Sequence, residues 1–231
     1  MSSDWKFFLD ACHETFDDNQ LFEDYARRFS FGTDASFYRL VPKLVVKISD
    51  ENQLAQLFGL AQQFNVPLTL RAAGTSLSGQ AVTDSVLVLL RAHWNQIKIL
   101  EAGNKITLQP GVIGADANKA LSPLNRKIGP DQASINTCKI GGIVANNASG
   151  MYCGTAHNSY NTLAGIRIMF ADGSVLDTRD PTNVACFRLT HQHLLAELET
   201  LGNLTKKTFN WLKKFSINIE SRILPVTASM L

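Results

Sequence analysis

No C-x-x-C pair stands anywhere in the 231 residues. The four cysteines, Cys12, Cys138, Cys153 and Cys186, are scattered, so neither a zinc ribbon nor a ferredoxin-type cluster is written here, and isolated reduced thiols are expected. Charge of one sign is missing too. Twenty-two Lys and Arg against twenty Asp and Glu leave +2 with no basic block, which argues against a nucleic-acid surface. No apolar run reaches a bilayer's thickness, and the start, Met1-Ser2-Ser3-Asp4-Trp5-Lys6, lacks the basic-then-apolar order of a secretory signal. A cytoplasmic protein without a transmembrane segment is therefore expected. With no internal repeat or low-complexity linker, and with 45% hydrophobic and 18% charged residues, the chain reads as soluble and able to bury a sizeable core.

Apolar positions at helical spacing run from residue 5 to 29: Trp5, Phe8, Leu9 and Cys12, then Leu21, Phe22, Tyr25 and Phe29. These predict two short helices. Leu44 to Ile48 reads as a strand, Ser49-Asp50 as a helix start with Leu54, Leu57, Phe58 and Ala61 on one face, and residues 66–71 as a second strand. This strand–helix–strand unit leads straight into a glycine-rich loop. Ser85 to Leu90 predicts a buried strand, residues 97–108 a hairpin, and residues 113–121 a helix. The stretch from Gly129 to Gly154 is long and rich in Gly, Asn and Ser, as loops that serve a site tend to be. Residues 163–177 predict another hairpin around Ala171-Asp172-Gly173, and Val184 to Leu212 carries a helical pattern.

Two segments carry chemistry. The first is Arg71-Ala72-Ala73-Gly74-Thr75-Ser76-Leu77-Ser78-Gly79-Gln80, directly after a strand. Its glycines let backbone amides approach an anion, and its hydroxyls add donors, so a pyrophosphate can be wrapped without lysine. Gln80-Ala81 stands where a Walker loop needs Lys and then Ser or Thr, which speaks against nucleotide hydrolysis. No G-x-G-x-x-G follows the first strand, so a Rossmann nicotinamide site is not indicated. The second segment runs from Gly129-Pro130-Asp131 through Ser134 to Gly141-Gly142, Asn146-Asn147 and Ser149-Gly150, where a flat ligand could lie against bare backbone. His191-x-His193 is a poor metal pair, since residues two apart on a helix point to nearly opposite sides. His157 and Cys153 read as a polar loop histidine and a buried thiol.

With these motifs in this order, joined by Thr33 to Ser36, Tyr38-Arg39, Pro110-Gly111-Val112 and Ala171-Asp172-Gly173, the chain resembles the FAD-binding oxidoreductases of the vanillyl-alcohol oxidase and p-cresol methylhydroxylase (PCMH) type. The likeness covers about residues 30 to 217 and is strongest to bacterial D-lactate, glycolate and D-2-hydroxyglutarate dehydrogenases, whose larger members add an iron–sulfur region. It implies an α+β fold of two subdomains, one with a small parallel sheet and one mostly antiparallel, with FAD between them. Ala72, Ala73, Gly74, Thr75, Ser76, Leu77 and Ser78 would then hold the pyrophosphate, with Gly79 and Gln80 closing the loop beneath the flavin. Pro130, Asp131 and Ser134 would lie along the ribityl and flavin side. Gly141, Gly142, Asn147 and Ser149 would lie against the isoalloxazine and phosphates, and Ile168 would meet the adenine through its backbone. Some family members link FAD covalently to a His in the first loop; none stands there here, so the resemblance implies a non-covalent flavin.

The domain organisation expected is a helical lead-in over 1–30, an FAD-binding domain over 31–180 with lobes at 31–92 and 93–180, a helical extension over 181–217, and an atypical tail over 218–231. The resemblance implies hydride transfer from C2 of a D-2-hydroxyacid to the flavin in a complete enzyme. It also implies a substrate domain that would follow this chain, leaving a truncated form without full activity and no catalytic residue to name. The alternatives are an accessory flavoprotein module that needs a partner chain, or another oxidoreductase of the same superfamily.

Overall fold

The computed structural model describes residues 3–91 and 93–213. Helix α1 spans Ser3–Thr15 and turns Trp5, Phe8 and Cys12 into the core at the expected spacing. The second expected helix begins later. Leu21–Phe22 form a short strand, β1, and only Tyr25–Ser30 form helix α2, which buries nothing. Periodicity is overruled here by Gln20, 1% exposed, whose Nε2 donates to the Lys47 carbonyl at 2.7 Å and to Gln53 Oε1 at 2.8 Å. The Lys47 amide in turn donates to the Gln20 carbonyl at 2.9 Å. A buried amide with partners on the sheet and on a helix start draws the next two residues into the sheet edge.

Strand β2, Leu44–Ile48, is followed by helix α3, Glu51–Gln63, whose cap Asp50 accepts from the Gln53 amide at 2.9 Å. Leu54, Leu57, Phe58 and Ala61 are the buried residues of α3, as its pattern predicts. Strands β3, Leu68–Arg71, and β4, Val86–Leu90, complete a sheet ordered β1-β2-β4-β3. The strand–helix–strand unit is thus split, because β4 inserts between β2 and β3 and runs parallel to both. The continuous apolar run Val86-Leu87-Val88-Leu89, buried throughout, suits a central strand covered on both faces. Val86 and Val88 join Leu44, Val46, Ile48, Leu54 and Leu57 in the main core, while Leu87 and Leu89 join Phe22 and Val45 on the opposite face.

Beyond the sheet, β5 (Ile97–Leu100) and β6 (Lys105–Leu108) form the expected hairpin, and α4 covers Gly114–Leu121. Two short helices, α5 (Ile140–Ala145) and α6 (Ser159–Thr162), stand in and after the glycine-rich region whose composition predicts a loop. The last hairpin is shorter than predicted, with β7 at Arg167–Met169 and β8 at Val175–Asp177. The two antiparallel hairpins are separate two-stranded sheets. Arg167 donates from Nε to Glu51 Oε1 at 3.0 Å and from Nη2 to Oε2, fastening β7 to the start of α3.

The long helical pattern is interrupted once. Helix α7 spans Pro181–Thr190, capped by Asp180 and opened by the proline, and α8 spans Gln192–Lys213. His191 sits at the break, its ring stacked on Phe187 at 3.8 Å and its Nε2 3.1 Å from Asp172 Oδ2 on the β7–β8 turn. His193 lies on α8 near Glu197 instead, so the two histidines serve different contacts. Residues 214–217 of the expected extension and the 218–231 tail lie outside the described residues.

All four cysteines are free; Cys186 is exposed and the other three are buried. Burial, with Glu23 nearby, pushes the Cys12 thiol up to about 12. Under native conditions at pH 8, iodoacetamide should label Cys186 first and Cys12 only after unfolding, read by mass spectrometry of peptides over time.

Leu57→Ala should cost about 2–5 kcal/mol by opening a cavity between α3 and the sheet. Gly59→Ala on the exposed face of the same helix, where an added Cβ meets nothing within 4 Å, should stabilise by about 0.5–1 kcal/mol. Urea midpoints at equal m-value check both signs.

Candidate cofactor site

The first loop leaves the carboxyl end of β3, where open sheets with parallel strands commonly bind ligands. Two of its residues fix its path. Gly74 and Gly79 have φ of +69° and +71°, in the left-handed region, and a Cβ on Gly79 would fall 2.6 Å from the Tyr38 ring. Between them, Ser76 Oγ contacts Gln80 Oε1 and accepts from the Ser78 amide at 3.2 Å, tying the loop tip to itself. The Thr75 hydroxyl makes no hydrogen bond among the described residues, which leaves it free for a ligand. Leu77 and Ser78 are exposed, and Ala72 and Ala73 are half-buried.

A second wall, not among the predicted ligand residues, comes from residues 33–39. The Ala35 amide donates to the Gly74 carbonyl at 2.9 Å, and Asp34 Oδ1 accepts from the Ser36 amide at 2.8 Å. Burial alone would raise the Asp34 carboxyl, but hydrogen bonds from Ser36 and the nearby Arg71 guanidinium outweigh it and hold the group below the usual carboxylate range. Arg71 itself is buried, and that burial lowers its pKa against the opposing pull of Asp34. The available signal was a lone arginine at a strand end entering a glycine-rich loop.

The second segment meets the first at Gly142. A Cβ there would lie 3.5 Å from the Ala72 Cβ, so α5 and the loop approach with only small groups between them. The other glycines serve internal packing. Gly141 lies under Pro110, 2.9 Å from the position of a Cβ, and its amide donates to the Pro110 carbonyl at 2.9 Å. At Gly150 an added Cβ would sit 1.7 Å from the Asp131 carbonyl oxygen. Pro130 is buried, Asp131 pairs with Lys127 at 3.3 Å, and Ser134 accepts through its carbonyl from the Thr137 and Cys138 amides at 2.8 Å.

Asn147 holds φ of +43°, and its Oδ1 accepts from the Tyr160 amide at 2.9 Å, while Ser149 is exposed. Gln132, also missed by sequence reasoning, donates from Nε2 to Cys138 Sγ at 2.8 Å and leaves its buried Oε1 without a partner among the described residues. An orphaned buried oxygen is a group that a hydrogen-bonding partner would satisfy, and Asp34 Oδ2 on the second wall is another among the described residues. Ile168 is buried in β7 opposite Leu176, away from the two glycine-rich segments in sequence.

Bare backbone amides, an unpartnered hydroxyl and a buried acceptor fit a flat dinucleotide with a pyrophosphate. The fold and this site define a flavin-nucleotide-binding domain. Residues 42–179 match the family model described as FAD binding domain, and the chain belongs to that family. It is 34% identical over 143 residues to the glycolate oxidase subunit GlcD of Escherichia coli, covering 61% of this chain and 29% of that protein. To the D-2-hydroxyglutarate dehydrogenase of Pseudomonas putida it is 31% identical, covering 64% of this chain and 15% of the other. The chain thus spans less than a third of the length of these relatives. Among solved structures, alkyldihydroxyacetonephosphate synthase superposes with a TM-score of 0.65 at 18% identity over 76% of this chain and 35% of its own. That likeness shows the same α+β, PCMH-type fold.

Gly150→Ala should distort the second segment and lower FAD binding, because its Cβ would enter the Asp131 carbonyl. Gly154→Ala, at a positive φ but with nothing within 4 Å, should cost only about 1 kcal/mol of stability and leave FAD affinity close to wild type. Flavin fluorescence titration beside thermal melts separates the two.

Proposed function

We propose that this chain is the FAD-binding part of a flavin-dependent dehydrogenase of D-2-hydroxyacids, with the flavin held non-covalently. The observation that carries this reading is the approach of Gly142 to Ala72, where two distant glycine-rich segments present bare backbone to one another. The relatives named for glycolate and D-2-hydroxyglutarate support the substrate class. Absence of His from residues 71–80 supports a flavin without a covalent link at this loop.

Acceptance of a hydride from C2 of the hydroxyacid is the chemistry that FAD supplies when bound. This chain's own residues do the holding. Residues 72–78, with the Thr75 hydroxyl, would hold the pyrophosphate, Gly79 and Gln80 would close the loop beneath the flavin, and Gly141, Gly142, Asn147 and Ser149 would lie against the isoalloxazine and phosphates. Pro130, Asp131 and Ser134 would lie along the ribityl and flavin side. We assign adenine contact to the β7 region around Ile168.

Recognition of the acid is assigned to residues beyond this match, in the same polypeptide or in a partner subunit such as an iron–sulfur protein. Among the described residues no three His, Cys, Asp or Glu are grouped to hold a metal, and no helix is long and apolar enough to cross a membrane. A cytoplasmic location belongs to the same reading. A second reading, an accessory flavoprotein module working with a partner chain, is favoured by α8, whose Leu195, Leu198, Leu201 and Leu204 are all exposed. Stoichiometric co-purification with another polypeptide distinguishes it.

The purified chain should bind FAD and release it to the supernatant on acid precipitation, with Gly74→Val abolishing retention. Anaerobic mixing of the loaded chain with D-lactate, glycolate or D-2-hydroxyglutarate should leave flavin absorbance unchanged. A colourless protein that takes up no added FAD refutes the cofactor reading, a yellow pellet refutes the non-covalent link, and rapid stereoselective bleaching places the acid site within these residues.

A further inference from the structure

We propose that Arg71 is the positioning residue of the cofactor loop, a clasp that closes residues 72–80 into a ring from the protein side without touching the phosphates. Its ligand rests on the FAD reading; its geometry does not. Arg71 is the last residue of β3, and its side chain reaches across the loop it precedes. Nε donates to the Ala81 carbonyl at 2.7 Å, Nη2 donates to the same oxygen, and Nη1 donates to the Thr33 carbonyl at 3.2 Å. One guanidinium therefore binds the exit of the loop and the neighbouring segment that forms its second wall.

The stem of the same side chain forms the cradle's floor, its Cδ 3.3 Å from where a Gly74 Cβ would stand. Gly74 is in turn tied to the second wall through the Ala35 amide. Asp34, on that wall, balances the arginine's charge electrostatically, with its Oδ1 committed to the Ser36 amide. The group is buried and its fork faces two backbone carbonyls. A phosphate ligand would instead draw the guanidinium outward as a bidentate partner.

Lysine is the discriminating substitution. It keeps the charge but carries a single ammonium head, which cannot reproduce a planar fork gripping two carbonyls. A clasp fails with lysine as it does with methionine, whereas a phosphate contact survives in part. The experiment uses the full chain as Arg71→Lys and Arg71→Met, with FAD titrated by fluorescence quenching and amide hydrogen exchange followed without FAD. Both variants should weaken FAD about 10- to 100-fold and speed exchange at residues 74–81, while amides of β2 and β4 exchange at the wild-type rate.

Near-native affinity in Arg71→Lys with loss in Arg71→Met overturns the clasp in favour of direct charge contact. Wild-type exchange at residues 74–81 in Arg71→Lys overturns it regardless of affinity. If Arg71→Met fails to fold, Arg71→Lys decides alone by the same two readouts. Should the wild-type chain bind no FAD while loop exchange still responds to Arg71→Lys, the clasp stands and the FAD reading fails.

Discussion

The structure depends on one strand being buried on both faces and along both edges. Val86–Leu90 has parallel partners on either side, β2 and β3, and alternates its side chains between two apolar clusters. Because no residue of β4 can face water without exposing valine or leucine, the flanking elements are held to their places: α1 and α3 over one face, Phe22 and Phe31 over the other. The parallel arrangement has a consequence for the connection. Chain leaving the carboxyl end of β3 must travel back along the sheet to start β4, and residues 72–85 make that journey without a helix. The cofactor loop is that return path.

A loop under such a constraint needs fixing, and backbone chemistry supplies it. Gly74 and Gly79 occupy left-handed positions closed to most residues, Tyr38 fills the space beside Gly79, and Arg71 grips Ala81 and Thr33. Burial of the Arg71 guanidinium is tolerated because it donates to two backbone carbonyls with the half-buried Asp34 carboxylate nearby, whose Oδ1 accepts from Ser36 while its Oδ2 has no partner among the described residues. The second segment meets this assembly through α5 and is stiffened by its own close approaches, Gly141 to Pro110 and Gly150 to Asp131. Its glycines divide into those that admit neighbouring backbone and those that leave a surface bare.

Much of this was legible beforehand. Helix α3 announced itself through Asp50 and four apolar positions on one face; β4 through an unbroken apolar run; the β5–β6 hairpin through alternation around a turn. Both glycine-rich segments were found because glycine marks places where a side chain cannot go. The misreadings have specific causes. Leu21 and Phe22 continue a helical period, yet a glutamine just before them finds buried partners on β2 and α3. The α7–α8 break carries no glycine or proline; His191 is held there by Phe187 and by Asp172 from a hairpin that sequence spacing does not bring near.

The sequence by itself determined most of the helical and extended segments, which stretches are glycine-rich, and what those stretches lack: a Walker lysine, a Rossmann fingerprint and a flavin-linking histidine. Local hydrophobic period, capping and turn chemistry act over a few residues, and they are written in the residues themselves. Only the tertiary structure decided that β4 stands between β2 and β3, that Gly142 faces Ala72, that Gln132 is left with an orphaned oxygen, and that Arg71 turns inward to Ala81 and Thr33. Each of these joins segments remote along the chain, and which remote pair meets is set by burying all the apolar faces at once, a condition no local window of sequence contains.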